Sequence, residues 1–296
     1  MAVKAFGSAG VVVARAALLV GLGVALAGCD TLSALNPFGG ERYKMEIVPE
    51  VPAEQLYNQG LARLESRDFD GAAKRFGDLD KQYPYSDWSR RGLIMQTYAH
   101  YEGQQYEDAI NSARRYLQLH PSSKDAAYAQ YLMAMSHYNQ IPDVTRDQER
   151  AERALLALQE LVDRYPKSEY VEDARFKMQV ARDQLAGKEM DIGRFYLRER
   201  NYTGAINRFR TVVGRYQTTR HVEEALMRLS EAYLALGIVP EAQTAAAVLG
   251  HNFPDSVWYK DSYALLQSGG LAPREDEGSW ISRTFRGYRT LPVRRS

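Results

Sequence analysis

From Ala53 to Gln267 the apolar residues recur at intervals of three and four, the period of one helix face rather than of a strand. Over Gly204–Val213 the stripe is Ala205, Ile206, Phe209 and Val213. Over Val171–Leu185 it is Val171, Ala174, Phe176, Met178, Ala181 and Leu185. The helical runs break at similar places. Leu64–Ala72 has the same outline as Tyr101–Ala109, Leu197–Ala205 and Leu234–Ala242, each ending on an alanine early in a helix. A turn follows at Pro84-Tyr-Ser86, Pro121-Ser-Ser123, Gln217-Thr-Thr219 and Pro254-Asp-Ser256, and a further copy carries Ala154, Leu158, Leu161 and Pro166-Lys-Ser168. Successive alanines lie 37, 45, 51 and 37 residues apart, the spacing of stacked helical hairpins with insertions.

Each column has a physical task. A small residue stands in the first helix of every pair (Gly60, Thr97, Ala134, Gly193, Ser230), where the second helix must come close, and Ala72, Ala109, Ala154, Ala205 and Ala242 are the facing half of that contact. Phe76 and Phe209 are expected to fill the space toward the next pair. Proline ends the second helix, because it lacks a donor and clashes with the preceding turn. The Ser or Thr behind it is placed to cap the next helix. The pattern resembles the tetratricopeptide repeat and predicts an all-α fold, a right-handed superhelical array of five such hairpins.

Composition adds one unusual feature, 20 Tyr against 9 Phe. A tyrosine ring with its polar tip suits a half-buried binding surface. On the first helices, three-and-four spacing selects Tyr57, Leu61 and Leu64, then Ile94, Tyr98 and Tyr101, then Tyr128, Tyr131, Met135 and Tyr138. Together they form an expected trough for an extended peptide with aromatic side chains. Packing between repeats competes as the explanation for each ring.

The flanks differ from the array. Residues 1–28 read as a signal peptide, with Lys4 and Arg15 ahead of a short apolar run, Ala16 to Leu26, too short for a permanent membrane helix. Leu26-Ala27-Gly28-Cys29 resembles a lipobox, which makes Cys29, the only cysteine, the expected lipidation site. An aspartate at the next position, Asp30, leaves the choice of membrane open. Residues 29–52, broken by prolines and glycines, read as a flexible tether. Residues 53–167 hold the first three units and 168–267 a connecting helix with the last two. In 268–296 six arginines and three aromatics accompany three acids, and this stretch is expected to be a disordered, solvated tail.

No catalytic or metal chemistry is legible. The five histidines are scattered without metal-ligand spacing, and neither a phosphate loop nor a serine nucleophile elbow occurs. No catalytic residue, cofactor or metal is expected. The near-neutral net charge of +1 gives no sign of nucleic-acid binding. What remains is a binding module.

The lipobox, short tether and five repeats together resemble the BamD (ComL) family, lipoproteins of the outer-membrane β-barrel assembly machinery (BAM). The specific points are Leu79-Asp-Lys-Gln-Tyr-Pro84, Val144-Thr-Arg-Asp-Gln148, Arg164-Tyr-Pro-Lys-Ser-Glu-Tyr170, Arg182-Asp-Gln-Leu-Ala186 and Ala205-Ile-Asn-Arg208. The resemblance implies a lipid-anchored, non-enzymatic scaffold on the periplasmic face of the outer membrane. Its implied partners are a BamA-type insertase, bound through a POTRA domain, other BAM lipoproteins, and unfolded outer-membrane β-barrel proteins. It implies that Tyr83 belongs to the substrate-binding surface and that Arg208 contacts the insertase. Two further readings fit the bare pattern: a repeat lipoprotein recruiting peptidoglycan or cell-division proteins, and a lipoprotein enzyme with its site in the insertion or tail.

Overall fold

The computed structural model describes residues 51–289, and every regular element among them is an α-helix. The first six are α1 (Ala53–Glu65), α2 (Phe69–Gln82), α3 (Asp87–Glu102), α4 (Tyr106–Leu119), α5 (Ala126–Tyr138) and α6 (Glu149–Arg164). They continue as α7 (Val171–Arg198), α8 (Tyr202–Arg215), α9 (Val222–Ala235), α10 (Val239–Asn252), α11 (Val257–Ser268) and α12 (Trp280–Arg289). The expectations for the signal peptide, for Cys29 and for most of the tether lie outside the described residues.

Consecutive helices pack antiparallel as hairpins, and the alanine column is why they can. Ala72, Ala109, Ala154, Ala205 and Ala242 have no exposed surface, and Thr97, Ala134 and Ser230 opposite them have none either. At Ser230 the approach is close enough for the hydroxyl to donate to the Ala242 carbonyl at 3.1 Å. Phe76 and Phe209 differ from expectation. Rather than reaching only toward the next hairpin, each ring lies over the glycine of its own. A Cβ added to Gly60 would stand 2.5 Å from Phe76, and one on Gly193 2.5 Å from Phe209.

The turn inside four of the five hairpins is also built from a repeated column. Arg67, Gln104, Arg200 and Gly237 all have positive φ, between 57° and 73°. Each ends a helix so that the next amide reaches back five residues, as from Asp68 to the Arg63 carbonyl at 2.8 Å and from Asn201 to Tyr196 at 2.9 Å. Glycine occupies only one of the four. Asp68 and Asn201 then cap α2 and α8 by accepting from Gly71 and Gly204. Between hairpins, Ser86 and Ser256 cap the next helix as expected. Ser123 and Ser168 instead accept from amides two residues on, which closes a turn, and Thr219 donates back to the Tyr216 carbonyl.

One feature defines the connecting helix, and another corrects the sequence reading. The boundary expected after residue 167 is followed by one unbroken 28-residue helix, α7, which packs on α6 through its first half and on α8 through its second. The halves therefore share a helix, and residues from Val51 onward form one compact unit. The stretch expected to be a disordered tail carries α12, where Ile281 and Phe285 are buried in the core of the last hairpins. Its approach is held by Gln243 donating to the Ala272 carbonyl at 2.8 Å and Ser279 to Glu241 at 2.7 Å. No described helix is long and apolar enough to cross a membrane.

Candidate functional site

The odd-numbered helices α1, α3, α5 and α7 each touch the next, whereas their hairpin partners α2, α4, α6 and α8 do not pack on one another to any comparable extent. The faces of α1, α3, α5 and the start of α7 therefore adjoin. Most of the tyrosines singled out in the sequence stand on this surface, all half-buried. Tyr57 packs against Trp88, with ring centres 5.3 Å apart, and against Phe76 at 5.6 Å. Met95 borders both the core patch beneath Tyr57 and the one beneath Tyr128, so it joins the two along α3. Tyr128 lies 5.5 Å from Tyr170, and Tyr131 stacks on the same ring at 4.7 Å and 20°. Tyr138 ends the run under the Lys177 ammonium, 5.0 Å from its centroid.

Hydroxyl partners fix several rings. Tyr131 donates to Asp173 at 2.9 Å, and Tyr101 accepts from Asn139 at 3.0 Å while edging against Tyr106. Burial pushes the Tyr57, Tyr101, Tyr128, Tyr138 and Tyr170 hydroxyls above the ordinary phenol range. At Tyr131 burial is joined by the bond to Asp173, which only a protonated phenol can donate. These rings stay neutral at any physiological pH, so the surface offers apolar faces and neutral hydrogen bonds rather than a titrating group. Among the described residues no cluster of three His, Cys, Asp or Glu is placed to hold a metal ion.

Trp88 and Tyr170 belong to this surface and were missing from the sequence-derived set. Both stand two residues after the serine of an inter-hairpin turn, Ser86 and Ser168, as Trp258 does after Ser256. That recurring aromatic column was the available signal. Ile94 and Met135, chosen by spacing, are buried. Tyr83 stands apart from the run, at the C-cap of α2. Its hydroxyl donates to the Val51 carbonyl at 3.0 Å, which ties the entry of α1 to the first turn.

The second half offers ion pairs. Arg208 on α8 donates to Glu189 on α7, at 3.2 Å to the nearer carboxylate oxygen, so its guanidinium already has a partner within its own hairpin. Nearby, Arg194 forks onto Glu224 at 2.9 and 2.7 Å, linking α7 to α9. Burial alone would raise the Glu224 carboxyl, but Arg194 and Arg228 more than offset it and hold it below the usual range.

Comparison with known proteins agrees with this architecture. The YfiO family model, described as outer membrane lipoprotein, matches residues 49–262. The outer membrane protein assembly factor BamD of Caulobacter vibrioides is 49% identical over 227 residues, 77% of this chain and 74% of that one. Its namesake in Rickettsia prowazekii is 39% identical over 252 residues, 85% of this chain and 96% of the other. The BamD of Neisseria meningitidis serogroup A is 32% identical over 249 residues, 81% and 91% of the two chains. With most of its length matched by one family model and aligned to relatives at up to 49% identity, the chain belongs to the YfiO/BamD family of outer membrane lipoproteins.

Proposed function

We propose that the protein is a non-catalytic assembly factor for outer-membrane β-barrel proteins, held by lipids on Cys29 at the periplasmic face of the outer membrane. Unfolded β-barrel chains are received on the aromatic run of the first three hairpins, and the last two hairpins meet the insertase. The observation that carries the substrate reading is the set Tyr57, Trp88, Tyr128, Tyr131 and Tyr170, two ring clusters on separate helices joined through Met95. Several of these rings are fixed by neighbours yet half-exposed. Pre-ordered aromatic anchors recognise an extended chain with little further loss of side-chain freedom. A β-barrel strand, with alternate large apolar side chains, presents such anchors their partners along one edge.

Tyr83, at the first turn, contributes through the position it gives α1 as well as through its ring. The partner reading for Arg208 rests on the family relationship. Its bond to Glu189 makes it a shared cation, half-exposed and free to take a second carboxylate. The test is a titration of a labelled C-terminal β-barrel peptide against wild type, Tyr128→Ala and Tyr131→Ala. Each truncation is expected to cost about 1–3 kcal/mol of binding, as for one used aromatic anchor. Equal affinity for all three, with helicity unchanged, would remove the surface from substrate binding.

A further inference from the structure

The groove between α8 and α12 is unlike the rest of the surface. It measures about 580 Å³, and its lining includes Asn207, Arg210, Gly214, Arg215, Trp280 and Arg283, with three arginines and no acid. One wall is α12, which lies beyond residue 262, where the family match ends. The Trp280 indole is anchored by donating to the Tyr233 hydroxyl at 3.1 Å, and the Arg210 guanidinium lies over it at 4.7 Å. Most other described arginines have a carboxylate in reach; among the described residues, none lies within 4.0 Å of Arg210, Arg215 or Arg283.

We propose that this groove docks an acidic, extended segment of a partner protein, with Arg210, Arg215 and Arg283 taking its carboxylates. Three like charges held together without a counter-charge are a site of stored repulsion, which a carboxylate-bearing strand relieves, and guanidinium forks match carboxylates in geometry. The Asn207 amide offers a donor and an acceptor to the backbone of such a segment. The residues after α12, Thr290 to Ser296, include Arg294 and Arg295 and no acidic side chain, so this stretch does not complement the groove in charge.

The test uses the full lipid-free chain and a fluorescein-labelled peptide of alternating glutamate and serine, read by anisotropy at low salt. Arg215→Glu/Arg283→Glu is expected to weaken binding by about tenfold, as for the loss of two screened charge pairs. Gly214→Glu is the second variant. An added Cβ there meets no atom within 4 Å, so it plugs the groove without disturbing the core. Lys124→Glu/Lys167→Glu makes the same change in net charge at exposed lysines elsewhere and is expected to leave affinity within about twofold of wild type. Weakening by the lysine variant as large as by the groove variants, or groove variants that bind like wild type, overturns the proposal. So does groove-dependent binding of phosphatidylglycerol vesicles with none of the peptide, which would make the site one for lipid phosphate.

Discussion

Substituting Gly193 by alanine tests the packing rule on which the array is built. Gly193 lies within α7, where alanine would ordinarily stabilise a helix by about 1 kcal/mol. Here the new methyl would sit 2.5 Å from one carbon of the Phe209 ring and 2.9 Å from two others. That is about 1 Å inside the separation at which carbon atoms attract. The ring has nowhere to go: Phe209 is fully buried between α7, α8 and α9. Overpacking of this kind costs about 3 kcal/mol, at the upper end of its usual range, which leaves a net loss of about 2 kcal/mol after the helical gain. The third hairpin supplies the rescue, since Ala134 there shares a core with Leu158, not phenylalanine, at the equivalent position. Gly193→Ala/Phe209→Leu should therefore lose less than the sum of its single variants, by about 1 kcal/mol or more. Urea unfolding followed by far-UV circular dichroism reads both numbers, provided the m-values stay constant. A stabilised Gly193→Ala, or strict additivity in the double variant, would refute the argument.

Three further outcomes follow from particular residues. Cys29→Ser should leave an unprocessed or soluble protein, checked by lipid labelling and membrane fractionation; a mature, lipid-labelled product would remove Cys29 as the anchor. Arg208→Gln should change stability by no more than about 1 kcal/mol, as for a half-exposed pair, while weakening association with the insertase POTRA domain in a pull-down. Glu189→Gln should leave that association intact, and equal losses from both variants would make the pair purely structural. Stability should fall as pH drops from 7.5 to 5.5. Burial holds His120, His137 and His221 below the usual imidazole value of 6.5, so the unfolded chain binds more protons there than the folded one. Thermal melts that do not move across this interval would contradict that sign.

Much of the architecture was written in the sequence because packing between neighbouring repeats leaves its mark on composition. The alanine and small-residue columns had to be small for the helices to meet, and all of them are buried. The surface tyrosines were legible by spacing, whereas Tyr170 and Trp88 were not, because they stand at helix starts off the three-and-four rows. Phe176 shows the opposite failure: it was counted on the buried stripe of α7 and is 65% exposed. The bond between Arg208 and Glu189 depends on how α7 and α8 align, and no local pattern encodes that. At the C-terminus, Ile281 and Phe285 are an i, i+4 pair in an arginine-rich stretch. What orders them is the core left open by α8 and α10 at the end of the array, a surface only the fold reveals.

The central claim is that unfolded β-barrel chains lie across the aromatic faces of α1, α3, α5 and α7. It is tested most directly by photo-crosslinking in cells, with benzoylphenylalanine replacing Tyr98 or Tyr131 in one set and Leu156, exposed on α6, in another. Adducts with β-barrel precursors are expected from Tyr98 and Tyr131, and none above background from Leu156. Adducts confined to Leu156, or equally strong from all three positions, would contradict it.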